Sequence, residues 1–354
     1  MNHSFGGGES FTVGLEEELL LVDSERLRLE NSAERVIERM ELPFERGGHE
    51  AFLSEIEVRS EPRRSAVEAT TDIAEGRAAI CTAGGVPLAV GLHPDAAFGD
   101  VQLVDSDRYR RVEGEMRGLI KRTPECALHV HVAVPTAEAA VHALMGLREA
   151  LPLIGAIGAA SPFWFGMDSG LASARSAVIR AYPGRGVPPP LRSWEEYLET
   201  LEGIALGGGP SDHTMVWWDA RLQPRLGTVE LRELDVQTGL EQTAGMAALV
   251  HALARRAVED PVAELAPAQA LHWSSFRAVR DGLDAELLFR GELRPARDAA
   301  RELLDELRGE DEALEGVERI LREGGAPARQ RKTFADGGMD ALLRELVEET
   351  ARPL

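Results

Sequence analysis

Four segments of the chain carry polar residues two positions apart inside largely apolar runs: Glu16 and Glu18, Glu55 and Glu57, His129 and His131, and Glu230 and Arg232. On a β-strand, residues i and i+2 share a face. Like charges placed side by side repel and resist burial, and a divalent cation bound between them removes both problems. Carboxylates outnumber histidines in the set, a donor chemistry that suits Mg²⁺ or Mn²⁺ better than zinc. Magnesium tends to bridge a few carboxylates to substrate phosphates rather than sit in an all-protein cage. The pattern therefore points to metal–nucleotide chemistry, with Glu16, Glu18, Glu57 and Glu230 as metal ligands. Two blander readings remain open: a solvated sheet face for the acids, and hydrogen-bonded histidines facing solvent at His129 and His131.

The elements that must position these residues are legible from periodicity. Residues 11–22 read as a strand with Glu16 and Glu18 on one face and Glu17, taken as solvated, on the other. Residues 50–62 contain a second alternating strand, in which Glu55 shares the face of Glu57 and reads as a surface acid or as one standing behind the metal ligands. Residues 127–135 form a third strand, and 215–221 with 227–235 two more, joined by a turn at Gln223-Pro224. Glu233 is read as solvated. A short apolar strand is expected over 86–91, and a loop around Gly47-Gly48. Helices are expected over 31–40, 65–83 (Ser65 as cap), 107–122, 136–151 and 193–205. Residues 161–176, with Arg175, read as a structured loop opening a helix, and residues 182–190, rich in proline and glycine, as a mobile flap. From about Thr238 the pattern is helical to the end. The expected fold is α+β: a mainly antiparallel sheet with a polar concave face and helices packed behind it, in a single domain over 1–354 (sheet core 10–255, mainly helical part 256–354).

The 354 residues include 39 basic and 60 acidic side chains, a formal charge of −21. That balance argues against nucleic acid or an anionic membrane as main partner. Two cysteines, Cys81 and Cys126, give no disulfide framework and no zinc spacing. No run of about 18 apolar residues is present, and a cytoplasmic protein is expected. The chain holds no Walker motif, no Rossmann fingerprint, no H-E-x-x-H and no nucleophile elbow.

An ordered set of motifs goes further. Gly14-Leu-Glu-Glu-Glu18, Glu50 seven residues ahead of Glu57, Leu128-His-Val-His131, Ser161-Pro-Phe-Trp with Ser173-Ala-Arg175-Ser176, Trp218-Asp-Ala-Arg221 and Gly227-Thr-Val-Glu-Leu-Arg232 occur in one order. Over about residues 10–255 this set resembles the carboxylate–amine ligases of the glutamate–cysteine ligase type 2 family. The resemblance implies a glutamine-synthetase-like catalytic core, ATP and Mg²⁺, and amide formation through an acyl phosphate, with L-glutamate and L-cysteine as default substrates. It adds Glu50 to the metal positions Glu16, Glu18, Glu57 and Glu230. It places His129 and His131 near the nucleotide, Arg175 and Arg232 in catalysis, and Arg175 and Arg221 at the substrate. Small-molecule amino-acid substrates are the expected partners, and a homodimer a possible assembly. The competing classes are a metal-dependent phosphotransferase or hydrolase, and a non-catalytic ATP-binding regulator. Departures from the family pattern include Gln223 where histidine is common and Ser60 and Ser169 where threonine is frequent.

Overall fold

Alternation in the first strand decides which side of the sheet faces the core. In β1 (Val13–Leu21), Val13, Leu15 and Leu19 are buried on one side, while Glu16 and Glu18 stand on the other. The computed structural model describes residues 1–43 and 45–354. β1 joins β2 (Gly47–His49), β3 (Glu55–Arg59), β4 (Pro87–Leu88), β5 (Leu128–Ala133), β8 (Ala220–Gln223) and β9 (Thr228–Leu231) in a seven-stranded sheet. Its order is β2-β3-β1-β5-β9-β8, with β4 also paired to β1, and every pairing is antiparallel. A two-stranded hairpin, β6 (Phe163–Trp164) with β7 (Met167–Asp168), lies apart.

The helices in chain order are α1 (Ala33–Ile37), α2 (Ala66–Thr82), α3 (Asp107–Met116), α4 (Ala137–Gly158), α5 (Ala174–Ile179), α6 (Trp194–Leu206), α7 (Leu240–Glu259), α8 (Ala268–Asp281), α9 (Ala296–Glu306), α10 (Glu315–Glu323) and α11 (Ala326–Thr350). Helices α2, α4 and α7 contact the strands of the main sheet and cover its apolar face. Ser65 caps α2 by accepting from the Glu68 amide at 3.2 Å, and Thr136 caps α4 the same way on Ala139 at 3.1 Å. A Cβ at Gly76 would lie 2.0 Å from Val58 Cγ1, so glycine lets α2 approach β3 this closely. Helix α4 is the one described helix long and apolar enough to cross a membrane, and 72% of its apolar window is buried inside the protein. The fold is α+β, as the strand pattern and the resemblance lead one to expect.

Several local expectations change. Gly47-Gly48 lies in edge strand β2 instead of a loop, and the strand expected over 86–91 shortens to Pro87–Leu88. Residues 213–215 form a 3₁₀ turn, so the strand expected from Met215 begins only at Ala220. The helical C-terminal region is interrupted by a hairpin, β10 (Glu286–Phe289) and β11 (Glu292–Pro295). Its turn residues Arg290 and Gly291 both have positive φ, 51° and 82°, as a two-residue hairpin turn requires. The segment read as a flap is held in place: Gly186 bridges to Trp218, Val187 is buried, and the Pro188 carbonyl accepts from Arg148 Nε at 2.9 Å. The polar sheet face is not openly solvated either. Phe52, Val112, Met116 and Ile120, with Tyr182, Met215 and Trp217 packed against them, form a second apolar cluster separate from the main core.

Candidate active site

The strand register lines the polar pairs up across five strands. Glu57 of β3 faces Glu18 of β1, Glu16 faces His129 of β5, His131 faces Glu230 of β9, and Glu230 faces Arg221 of β8. Two groups of ligand atoms come within 4.8 Å of one another: Glu16, His129 and Glu230, and Glu18, Glu57 and His129. His129 Nδ1 lies 3.3 Å from Glu16 Oε2, and His131 Nε2 lies 3.6 Å from the same oxygen. Glu50 belongs to neither group; the Tyr109 hydroxyl donates to it at 3.5 Å.

Electrostatics divides these acids. Burial, with Glu57 nearby, raises Glu18 to about 7 although Arg175 opposes it. Burial next to Glu16 and Glu50 raises Glu57 to about 8, and burial beside Glu18 raises Glu50 to about 7. Glu16 is half-buried, but His131 and His129 outweigh the desolvation and hold it well below the usual carboxylate range. Glu230 is lowered in the same way by Arg232 and Arg221. Burial lowers His129 to about 4, so its ring is neutral and free to ligate. Crowded acids with raised pKa values, a neutral histidine and mainly oxygen donors fit a hard divalent cation. Glu16, Glu18, Glu57 and His129 would hold it. Two of the five expected metal acids stand apart: Glu50 lies outside both groups, and Glu230, although in the first, is bound by Arg221 through two nitrogens at 2.7 and 3.2 Å and paired with Arg232 as well.

The acid row stands between two clefts. One, of about 460 Å³, is lined by Gly6, Gly8, Gly14, Gly227, Arg59 and His131, and Glu16 opens on it. The other, of about 150 Å³, is lined by Arg108, Arg175, Arg185 and Arg232 together with Glu50, and Glu18 and His129 open on it. β1 and β5 therefore each present one residue of a pair to one cleft and the second residue to the other.

Arg175 is aimed by a polar knot. Ser161 and Ser173 hydroxyls donate to Asp235 at 2.8 and 2.9 Å, and Ser173 caps α5, which carries Arg175. Arg175 Nη1 then donates to the Glu233 carbonyl at 3.1 Å and lies 3.6 Å from Asp235, while its Nε is buried without a hydrogen-bond partner among the described residues. Arg232 Nε is left in the same state. Orphaned guanidinium donors in a cleft are suited to an anionic ligand. Sequence reasoning missed Arg185, whose Nε lies 3.0 Å from Asp219, and Glu125, Tyr182 and Arg108. The only sequence signal for Arg185 was its place in a proline- and glycine-rich loop.

Four expectations need correction. Glu17 is fully buried on the helix side of the sheet, bound by Arg77 through two nitrogens at 2.6 and 2.8 Å. Arg77 lies on the buried face of α2 with Ile73 and Ile80, which was readable from the sequence. Glu55 is buried and lines the arginine cleft, with a raised pKa caused chiefly by burial. Glu233 is buried, 3.5 Å from Arg180. Arg221, expected at the substrate, opens on neither cleft: besides Glu230, it donates through Nη1 to the Thr214 and Val216 carbonyls. It positions Glu230.

The sequence profile of glutamate-cysteine ligase family 2 (GCS2) matches residues 12–349. A protein of Rubrobacter xylanophilus that carries the provisional name glutamate–cysteine ligase 2-3 is 37% identical over 99% of this chain and 100% of its own. One from Thermobifida fusca, provisionally named glutamate–cysteine ligase 2, is 33% identical over 98% of this chain and 93% of its own. Among solved structures, the glutamate–cysteine ligase of Francisella tularensis in complex with AMP superposes with a TM-score of 0.71 at 14% identity, over 96% of this chain and 88% of its own. The complex between the prokaryotic ubiquitin-like protein Pup and its ligase PafA gives a TM-score of 0.54 at 13% identity, over 95% of this chain and 71% of that one. At such identities the structures establish a shared fold, and the sequence match establishes descent: the chain belongs to glutamate-cysteine ligase family 2.

Proposed function

We propose that this protein is an ATP-dependent carboxylate–amine ligase that joins an acid to an amine through an acyl phosphate, with L-glutamate and L-cysteine as the first substrates to test. The observation that carries the reading is the acid row standing between two clefts of opposite character. The glycine-lined cleft, with Arg59 and His131, suits a polyphosphate, because glycine lets backbone N–H groups approach an anion closely. The arginine cleft suits a carboxylic acid. Family membership, and the AMP bound by the Francisella ligase of the same fold, support the nucleotide.

Mg²⁺ or Mn²⁺ held by Glu16, Glu18, Glu57 and His129 would neutralise phosphate charge at the meeting point of the clefts. Arg175 orients the acid so that its carboxylate oxygen attacks the γ-phosphorus, while the bond from that phosphorus to the bridging oxygen breaks and ADP leaves with the electron pair. Arg232, already charge-balanced by Glu230, offers its orphaned Nε to oxygens of the phosphoryl group in transfer. The covering residues Phe52, Met116 and Trp217 keep water away from the acyl phosphate. Amine attack then forms the C–N bond as the C–O bond to phosphate breaks; the electron pair leaves with phosphate, which also takes up the proton that the nitrogen loses. The test is Mg²⁺-dependent ADP release with glutamate alone, cysteine alone, both, and other acid–amine pairs. Release that needs both an acid and an amine supports the ligase. ADP release that is indifferent to the amine indicates a phosphotransferase or hydrolase.

A further inference from the structure

Of the acids that line the arginine cleft, Glu125 alone leaves a buried oxygen without a hydrogen-bond partner among the described residues. Glu125 precedes β5, and its backbone is fixed by a bridge to Leu92 and by the Cys126 amide, which donates to the Gly91 carbonyl at 2.9 Å. Its Oε1 accepts the Tyr182 hydroxyl. Tyr182 is itself held, with the Arg122 guanidinium 5.3 Å from its ring centre and Trp217 at 6.4 Å. Oε2 is buried without a hydrogen-bond partner among the described residues, although Glu125 lines the cleft.

Arginines surround this acid, but none of them hydrogen-bonds to it. Arg175 faces the Glu233 carbonyl and Asp235, Arg185 faces Asp219 and the Arg232 carbonyl, and Arg122 donates to the Leu119 and Val178 carbonyls. Burial accordingly raises Glu125 to about 7 despite them. Glu50 is placed differently: its charged neighbours are Glu18, Arg108, Arg232 and Glu16, at the metal row, whereas those of Glu125 are Arg175, Arg122 and Arg185. A desolvated carboxylate with one oxygen capped and the other free is complementary to a cationic donor brought in by the substrate.

We propose that Glu125, oriented by Tyr182, receives the α-ammonium group of the acid substrate and restricts the enzyme to α-amino acids. This deepens the ligase reading and rests on it. A site built around a buried charged acceptor rejects an analogue lacking the donor, because the acceptor is then left unpaired.

The experiment uses the full-length protein with Mg²⁺, ATP and hydroxylamine as a neutral trapping amine, and compares kcat/KM for the acid it turns over best with that acid's des-amino analogue (glutamate with glutarate if glutamate is best). The wild type is expected to prefer the amino acid by on the order of 100-fold. Glu125→Gln brings the ratio close to one, chiefly by loss on the amino acid, and Tyr182→Phe reduces it partway. A ratio unchanged in Glu125→Gln, or both acids lost equally, overturns the assignment while leaving the ligase intact. A best substrate without an amino group does the same. No hydroxamate from any acid in the wild type overturns the ligase reading and this assignment with it.

Discussion

Glu16 and Glu18 stand two residues apart on one face of β1, yet they open on different clefts and titrate in opposite directions. Glu16, against His131 and His129, is held ionised, whereas burial beside Glu57 pushes Glu18 to about 7. The pair straddles the place where a nucleotide in one cleft would meet an acid in the other. Glu17 between them points into the helical layer and serves stability alone.

That division predicts two kinds of variant. Glu17→Gln leaves Arg77 a buried, uncompensated charge and is expected to cost about 3–5 kcal/mol of stability, read by denaturant unfolding. Glu18→Gln removes an acid whose charge is already disfavoured, so it leaves the fold intact and lowers Mg²⁺-dependent ADP release on the order of 100-fold or more. Loss of ADP release in folded Glu17→Gln, or unfolding of Glu18→Gln, would contradict the assignment of the two faces.

The raised acids also set a pH dependence. Between their unfolded value near 4.5 and folded values of about 7 for Glu18 and Glu50 and about 8 for Glu57, the folded protein binds more protons than the unfolded chain. Stability of the metal-free protein therefore falls as pH rises through that window. A cation competes with those protons, so the rise in Tm on adding Mg²⁺ is expected to be larger at pH 8 than at pH 5. Equal shifts at both pH values would count against the metal row.

Asp235→Asn loosens the knot that aims Arg175 without touching the glycine-lined cleft. Steady-state kinetics should show KM for the acid raised about tenfold, roughly the worth of a charged hydrogen bond, with KM for ATP unchanged. An equal rise in both would place Arg175 outside the acid site.

At Gly76 an added methyl meets Val58, 2.0 Å from the ideal Cβ position, with β3 fixed beneath it. Gly76→Ala is expected to cost about 1–3 kcal/mol, as overpacking does, despite the better helix propensity of alanine. A rise in Tm would show that α2 can move off the sheet.

The row of polar residues is visible in the sequence because period two needs no knowledge of tertiary structure: Glu16, Glu18, Glu57, His129 and Glu230 announce themselves along their own strands. The sequence could not show what covers that face. Phe52, Met116, Tyr182 and Trp217 come from segments without a common period, so the face looked solvated. For the same reason Glu17, whose partner Arg77 lies 60 residues away, and Glu233 were taken for solvent-facing acids. Arg185 and Glu125 sit in irregular backbone, where only the fold reveals a shared cleft. The hairpin at Arg290-Gly291 is hidden because its strands are four residues each, as short as one helical turn.

The most direct measurement follows an oxygen atom. With the acid substrate labelled with ¹⁸O in its reacting carboxylate, complete turnover with ATP and amine should transfer one ¹⁸O into the released phosphate, because the carboxylate oxygen becomes the bridge of the acyl phosphate and leaves with phosphorus. ADP formed with unlabelled phosphate would contradict an acyl phosphate and, with it, the meeting of acid and nucleotide across Glu16 and Glu18.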